Sequence, residues 1–541
     1  MGPGIVGYFV MLGLCAPAAL PDYTDDGVRY HLAYAYEWFR AGRIFADHHF
    51  RFPYYTFNGE VIYAWMFVLR IGRYAPFLSW MAGTVAVLAT YGLIATVDES
   101  AQRARSEVAQ AAACVVYAVV PLSVAFAAVF LRWVDAAMPD AASGMFFAAT
   151  AAAITLVICN SSSQLLLGAV LSGAFLAGMK PTYALLIPIF MVFMSVAGIR
   201  AQMTLKRIAI YLVLICALSS PWYVRNLIAD HDPMPPLLHI ALGREDPDVS
   251  RADLQLMAAD LRSSVPSLRS IETYPIRLFR VAYTREFREY GVTAVVLSLY
   301  GVVIAVIFLI FKTKKGGGEL ALLALLCLTL GGCAYLFATS LLARYALVVY
   351  PMIAASAGCL LLYCSSALRY GILAAPVIAA LLAVPSRSAL QFYEGFSAIG
   401  YTAIASIMPS DQAALERQLG GFLEAEPLLT EKPWQRSGDP NVLLVNADIQ
   451  YYIELYGGEP FGDWTGMTRY SDFARAIDEQ NALAYLNDNH ISAIVVGLHG
   501  GALAWPEVES LREQIASSGF KELASSDSRY DVFMRQELVK K

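Results

Sequence analysis

The residues of this sequence best placed to do chemistry are charged side chains that sit next to long apolar runs. Asp22, Asp25 and Asp26 put three carboxylates within five residues, directly after an apolar stretch. Such a cluster serves a general base, a metal ion, or only a solvated loop with a helix cap at Asp25 or Asp26. Asp135 and Asp140 lie in "RWVDAAMPDAASG", between two further apolar runs. Asp140 follows Pro139, so it suits the first turn of a helix, where a carboxylate meets the positive end of the dipole. The other reading is a second acid facing the same cavity as Asp26.

Three cations occupy comparable places. Lys180 lies in "AGMKPTY", a tight hairpin between two apolar runs. Arg225 lies in "PWYVRN" and Arg344 in "ARYALVVYP", each at the edge of an apolar run. Arginine offers phosphate a planar fork of donors, and lysine offers a point charge. Snorkelling to lipid headgroups is the plainer reading of each cation alone. Three cations and several carboxylates at one level suit a phosphorylated lipid whose sugar needs a base nearby. His31 follows Tyr30, and His48 and His49 come later; no pair has zinc-ligand spacing, so they read as interfacial or structural. No phosphate-binding loop, dinucleotide glycine motif or Ser–His–Asp order is present.

The elements that must hold these groups are membrane helices. Of 541 residues, 58% are hydrophobic and 15% charged, with a mean hydropathy of +0.52. A soluble chain carries about 25% charged residues. The apolar excess comes in runs near the length that crosses a bilayer as helix, about 20 residues. The runs fall near 3–20, 76–96, 111–131, 141–159, 164–179, 183–198, 208–223, 291–311, 320–338, 345–364 and 371–386. The fold class expected is therefore an α-helical polytopic membrane protein with about eleven transmembrane helices. The first run has no Lys or Arg ahead of it, so it reads as a retained span, although Ala16-Pro17-Ala18 loosely resembles a cleavage site. The cysteines fall in or at the ends of apolar runs and read as packing residues, not as disulfides or a zinc site. A net charge of −5 gives no argument for nucleic acid as a partner.

Basic residues in short loops set the orientation. Arg103, Arg105, Arg200, Lys206, Arg207, Lys312, Lys314, Lys315 and Arg369 share one side, taken as cytoplasmic. The other side then carries the long segments 21–75, 224–290 and 387–541. Residues 1–386 form the membrane module, and 387–541 an extracytoplasmic helical connector followed by a small soluble α/β domain. In that domain "NVLLVN" and "ISAIVVGL" read as buried strands, and "SDFARAIDEQNALAYLND" and "PEVESLREQIASSG" as helices. Residues 27–43 read as an amphipathic helix able to lie flat at the interface, with Tyr30, Tyr34 and Trp38 at helical spacing.

These motifs, in this order, resemble the GT-C superfamily of polytopic glycosyltransferases, which includes protein mannosyltransferases, lipid A aminoarabinose transferases and many bacterial relatives. "DDGVRYHLAYAYEWFRAGRI" is similar to the family's first acidic loop, which puts Asp26 at the acidic position with Tyr30 and His31 after it. "RFPYYTFNGEVIYAW" resembles the segment with a proline and a later glutamate, here Pro53 and Glu60. "WVDAAMPDAASGMFF" resembles the second acidic motif, with Asp135 and Asp140 as alternatives. "GMKPTYALL", "PWYVRNLIADHDPMPP" and "RYALVVYP" resemble the Gly-x-Lys, Pro-Trp-x-x-Arg-Asn and Arg-Tyr motifs. His231-Asp232-Pro233 stands where Gly-Asn-Pro is usual.

The resemblance covers about 1–390. It implies transfer of a sugar from a polyprenyl-phosphate carrier to a glycan, lipid or protein acceptor. The reaction would take place on the outer face of a bacterial inner membrane, with inversion. Asp26 would be the general base. Asp25, Asp135, Asp140 and Glu60 would assist the acceptor or a metal, and Lys180, Arg225 and Arg344 would hold the donor phosphate. Tyr30 and His31 would contact substrate at the interface. Members differ in metal use, so a divalent cation, Mg or Mn, is left open and no other cofactor is implied. Two rivals belong to other classes. A transporter or lipid flippase predicts internal repeats and a midplane site, and no repeat is found. A non-catalytic subunit of a glycan-assembly complex predicts charges scattered away from one shared cavity.

Overall fold

The structure is a computed structural model. It describes residues 26–46, 54–100, 136–234, 317–339 and 346–364, isolated positions in 110–124 and at 306, and parts of 439–539. Expected spans 3–20 and 371–386, all of 291–311 but Val306, the connector 387–435 and the residues Asp25, Asp135 and Arg344 lie outside the described residues.

Up to residue 364 the described residues include ten α-helices, most of them at expected spans. These are α1 (Leu32–Ala41), α2 (Asn58–Val68), α3 (Ala75–Ser100), α4 (Pro139–Asn160), α5 (Leu165–Ala177), α6 (Ile187–Arg200), α7 (Leu205–Ser219), α8 (Pro221–Asp230), α9 (Gly317–Thr339) and α10 (Ala346–Cys364). Among the described residues, three helices are long and apolar enough to cross a membrane: Gly72–Glu99, Pro139–Asn160 and Pro181–Arg200. Expected span 208–223 is instead the pair α7 and α8, bent by 49° at the break. Pro221 explains the break, because it has no N–H to continue the ladder and starts the next helix at its first position.

The bundle is apolar outside as well as inside. Met81, Val85, Leu88 and Tyr91 form an exposed apolar stripe on α3, while Ala82, Ala86, Thr90 and Ile94 face inward. Helix α4, rich in Ala and carrying Ser143 and Gly144, lies at the centre against α3, α5, α6, α9 and α10. Between helices in lipid, close approach and hydrogen bonds replace the hydrophobic drive. Thr150 on α4 bonds Ser172 on α5 at 2.8 Å, and Thr329 on α9 bonds Ser356 on α10 at 2.8 Å. Pro351 lies inside α10, so the carbonyl of Leu347 lacks its helical donor. Gly144 packs onto that carbonyl, where an added Cβ would lie 2.6 Å from the oxygen.

Two segments of the first loop differ from a helix lying flat at the interface. Gly27–His31 is a π turn that leads into α1, and Gly42 ends α1 in the left-handed region at φ 64. Val28, Leu32, Ala33, Tyr34, Ala35 and Trp38 are buried, because the helix is clasped between neighbours. One neighbour is α2, which the hydropathy pattern did not reveal. The other comes from the C-terminal residues.

There the strands β1 (Asn441–Val445), β2 (Glu459–Gly462), β3 (Ile491–Gly497), β4 (Phe520–Glu522) and β5 (Tyr530–Arg535) form one sheet in the order β2-β1-β3-β5-β4. The pairs β1/β2 and β1/β3 are parallel; β3/β5 and β4/β5 are antiparallel. Side chains alternate between faces along a strand. Leu443 and Val445 pack with Phe461 and Leu486, whereas Val442 and Leu444 share a core with Val28, Leu32, Tyr34 and Trp38. The short helix Gln450–Leu455 after β1 reaches furthest, with Tyr451 against Tyr36 and Phe67, each 5.9 Å between ring centroids.

Gly144→Ala is expected to destabilise the bundle by about 1–3 kcal/mol, because the methyl group must displace backbone. Thermal unfolding in detergent checks it against Gly168→Ala, whose added Cβ meets nothing within 4 Å and should leave the midpoint unchanged or raised.

Candidate active site

Helix α5 ends at Ala177, and its last carbonyls have no partner within the helix. Other elements cap them. Asn58 donates its backbone N–H to the Gly178 carbonyl and its side-chain Nδ2 to the Phe175 carbonyl, each at 2.8 Å. Tyr223 donates its hydroxyl to the Ala177 carbonyl at 2.7 Å. Trp222 Nε1 closes the group by donating to Asn58 Oδ1 at 2.8 Å. Gly178 makes room for this, since a Cβ there would sit 2.2 Å from Asn58 Nδ2. The N-terminus of α2 thus rests on the end of α5 and the start of α8. Gly59 also lies against α4, where its added Cβ would come 3.1 Å from that of Pro139.

The charged residues hang on this joint. Asp140 occupies the first turn of α4 behind Pro139, as its sequence position implied. Its Oδ1 accepts from Lys180 Nζ at 2.7 Å. Their side chains are 3% and 15% exposed, so the pair is shielded from water. Lys180 is extended and precedes the tight 3-10 turn Pro181–Leu186, which aims it back at α4.

Glu60 lies in the first turn of α2 and holds His31, whose Nδ1 donates to Glu60 Oε1. His31 is 3% and Glu60 2% exposed, so His31 is interior and not at an interfacial surface. Tyr30 stacks beside it at 4.1 Å between ring centroids. Asp26 immediately precedes the π turn, is 9% exposed, and lies 3.7 Å from Arg29.

Arg225 is fixed on three sides. Its Nη2 donates to the Tyr55 carbonyl at 3.1 Å, and Nε and Nη2 both donate to Asn226 Oδ1. The guanidinium lies over the rings of Trp222 and Phe57, at 4.7 and 5.8 Å. Nη1 is buried and has no hydrogen-bond partner among the described residues. Trp38, Phe57 and Trp222 form an aromatic wall beside it, with Trp38 and Trp222 stacked 6.2 Å apart. On α1, burial raises the Tyr36 phenol above its usual pKa; Arg40 opposes the rise and Glu454 and Glu37 reinforce it.

Residues 74–350 match the family model described as "Domain of unknown function (DUF8201)". The chain belongs to this family. The matched stretch contains Asp135, Asp140, Lys180, Arg225 and Arg344, while Asp26, His31 and Glu60 precede it. No curated protein matches. Among solved structures, ArnT from Cupriavidus metallidurans bound to undecaprenyl phosphate is similar over 99% of both chains, with 11% identity and a TM-score of 0.55. The oligosaccharyltransferase AglB from Archaeoglobus fulgidus, in complex with an inhibitory peptide and a dolichol-phosphate, has 12% identity. It covers 91% of this chain and 69% of its own, with a TM-score of 0.47. The likeness to ArnT shows the fold alone: this chain shares the helical membrane architecture of that protein.

Within that fold the departure at His231-Asp232 keeps the backbone geometry. His231 takes the left-handed conformation, φ 55, that ends α8 and that a glycine adopts readily. Asp232 Oδ1 accepts from the Met234 N–H at 2.7 Å, a turn bond that asparagine makes equally well. Sequence reading singled out Arg225 but missed Asn58, Phe57 and Asn226. Asn58-Gly59-Glu60 before an apolar run is a helix-start signal that could have located α2. Among the described residues no three His, Cys, Asp or Glu side chains group to hold a metal ion.

Lys180→Met should cost about 3–5 kcal/mol, because it strips a buried carboxylate of its counter-charge. The double variant Lys180→Met/Asp140→Leu should regain much of that loss. Unfolding midpoints of the two proteins in the same detergent check both outcomes.

Proposed function

We propose that this protein is an integral-membrane glycosyltransferase that moves a sugar from a polyprenyl-phosphate carrier to a glycan, lipid or protein acceptor. We place its active site on the outer face of a bacterial inner membrane. The observation that carries the reading is end-to-end likeness, 99% of both chains, to an ArnT structure that holds undecaprenyl phosphate. Chemistry lends support among the described residues: Asp140 pairs with Lys180, Glu60 holds His31, and Arg225 is held by Tyr55 and Asn226.

In the proposed reaction Asp26 takes the proton from an acceptor hydroxyl as the oxygen bonds to the anomeric carbon. The bond from that carbon to the phosphate oxygen breaks on the opposite face, which inverts the configuration. Polyprenyl phosphate leaves with the electron pair. Arg225 meets the leaving charge with a guanidinium that Tyr55, Asn226 and two rings already hold in place, so little reorganisation is needed. Lys180 adds charge on the same side, steered by Asp140; Arg344 is the third cation of the proposal. Asp140 or Asp135 orients the acceptor, and Asp25 supports the base. Of the acids assigned to a metal, Asp140 holds Lys180 and Glu60 holds His31, and no step is routed through Mg or Mn.

Asp26→Asn tests the base. Purified protein in lipid nanodiscs is given a panel of polyprenyl-phosphate monosaccharides, and release of polyprenyl phosphate is followed. Loss of a general base should slow turnover by about 10²–10⁴-fold. Turnover at the wild-type rate removes Asp26 from the mechanism. Diphosphate-linked oligosaccharides belong in the same panel, and turnover of these alone would mark a polymerase or ligase.

A further inference from the structure

We infer that His31 and Glu60 are a positioning pair: together they hold the π turn Gly27–His31 and so aim Asp26. The inference rests on the sugar-transfer reading and assigns both residues a task other than touching substrate or metal. Three observations carry it.

The first is the turn itself. Leu32 donates its N–H to the Gly27 carbonyl, five residues back. A π turn holds one residue more than an α turn and is rare, occurring mostly as single turns at functional sites. Each residue in an α-helix advances about 100° around the axis, so one extra residue moves Asp26 to a different face relative to α1. The wide turn therefore sets the direction of the carboxylate.

The second is the location of the contact. His31 is the last residue of the turn, and its ring is tied to Glu60 on α2. Helix α2 is itself pinned to the bundle through Asn58, two residues earlier. Hydrogen bonds thus tie the end of α5 to Asn58; the first turn of α2 carries the tie from Asn58 to Glu60; and Glu60 bonds His31, the last residue of the turn that Asp26 precedes. Tyr30 leans on the His31 ring and limits its rotation.

The third is cost. Both side chains are almost fully buried, and Glu60 Oε2 has no hydrogen-bond partner among the described residues. A buried imidazole–carboxylate pair with an unsatisfied oxygen is a poor device for stability, since apolar residues of similar size would serve as well or better. What such a pair supplies is a fixed direction, which packing of apolar groups gives less sharply.

The test compares Glu60→Ala with Glu60→Gln. Glutamine keeps the length of the side chain and an oxygen that accepts from His31 Nδ1, while alanine keeps neither. Transfer is measured with the best donor of the panel above, and amide hydrogen exchange is followed over residues 26–41. Displacement of a reacting group by an ångström costs about 10²-fold in rate. Glu60→Ala should therefore lower kcat on that scale with KM nearly unchanged, and should speed exchange in 26–41. Glu60→Gln should recover most of both losses. The double variant His31→Ala/Glu60→Ala should be no worse than Glu60→Ala alone. Equal loss in the Ala and Gln variants, with exchange unchanged, would overturn the pair and make Glu60 a direct participant. If Glu60→Ala does not fold, His31→Asn gives the same readouts. Wild-type turnover in Asp26→Asn speaks against the reaction, whereas unchanged exchange in Glu60→Ala speaks against the clamp, so the two failures are distinct.

Discussion

The site depends on the carbonyls at the end of α5. A helix end leaves its last carbonyls short of intrahelical donors, and here the Gly178 and Met179 N–H groups that bond back to Phe175 and Leu176 leave acceptor capacity open. Asn58 and Tyr223 satisfy them, and in doing so they fasten the first loop and α8 to the same point. Trp222 locks Asn58 in turn. Glu60 is two residues from this joint, Arg225 two residues from Tyr223, and Lys180 two residues from Gly178. Groups scattered over 200 residues of sequence become neighbours because one helix end had to be capped.

Hydropathy made the bundle legible because lipid leaves few choices. A span must be apolar over its whole length and must bond its own backbone. Runs near 76–96, 141–159 and 183–198 accordingly appear as helices. The same logic could not see α2, which is apolar but at 11 residues too short to cross a bilayer. It also read through Ser220, where a proline at the start of one helix turned one span into two bent pieces. In the C-terminal sheet the buried central strands β1 and β3 were readable as continuous apolar runs. The short β2 and β4 carry too few residues for a pattern, and β5 begins with the mixed sequence Tyr530-Asp531.

For the site, residue types were readable and partners were not. Asp140 and Lys180 each stood out as charges at an apolar boundary, yet nothing in their spacing says that they meet across 40 residues. His31 looked like one aromatic among several on an amphipathic surface. Its burial follows from two neighbours, α2 and the helix Gln450–Leu455, and neither can be located from residues 27–43 alone. The π turn is still less visible, since Gly27–His31 differs from an α turn only in which carbonyl the Leu32 N–H selects.

The contact of Tyr451 with Tyr36 and Phe67 joins the two ends of the chain in sequence. Residues 26–41 leave the ribosome long before residues 442–534, and until the latter arrive the inner face of the π turn and α1 has no cover. Synthesis of the first helices can therefore be finished while the π turn still lacks part of its cover. Long-range closure of this kind is slow relative to local helix formation. A chain interrupted before the sheet has its early helices yet lacks the surface against which Tyr36 and Phe67 pack.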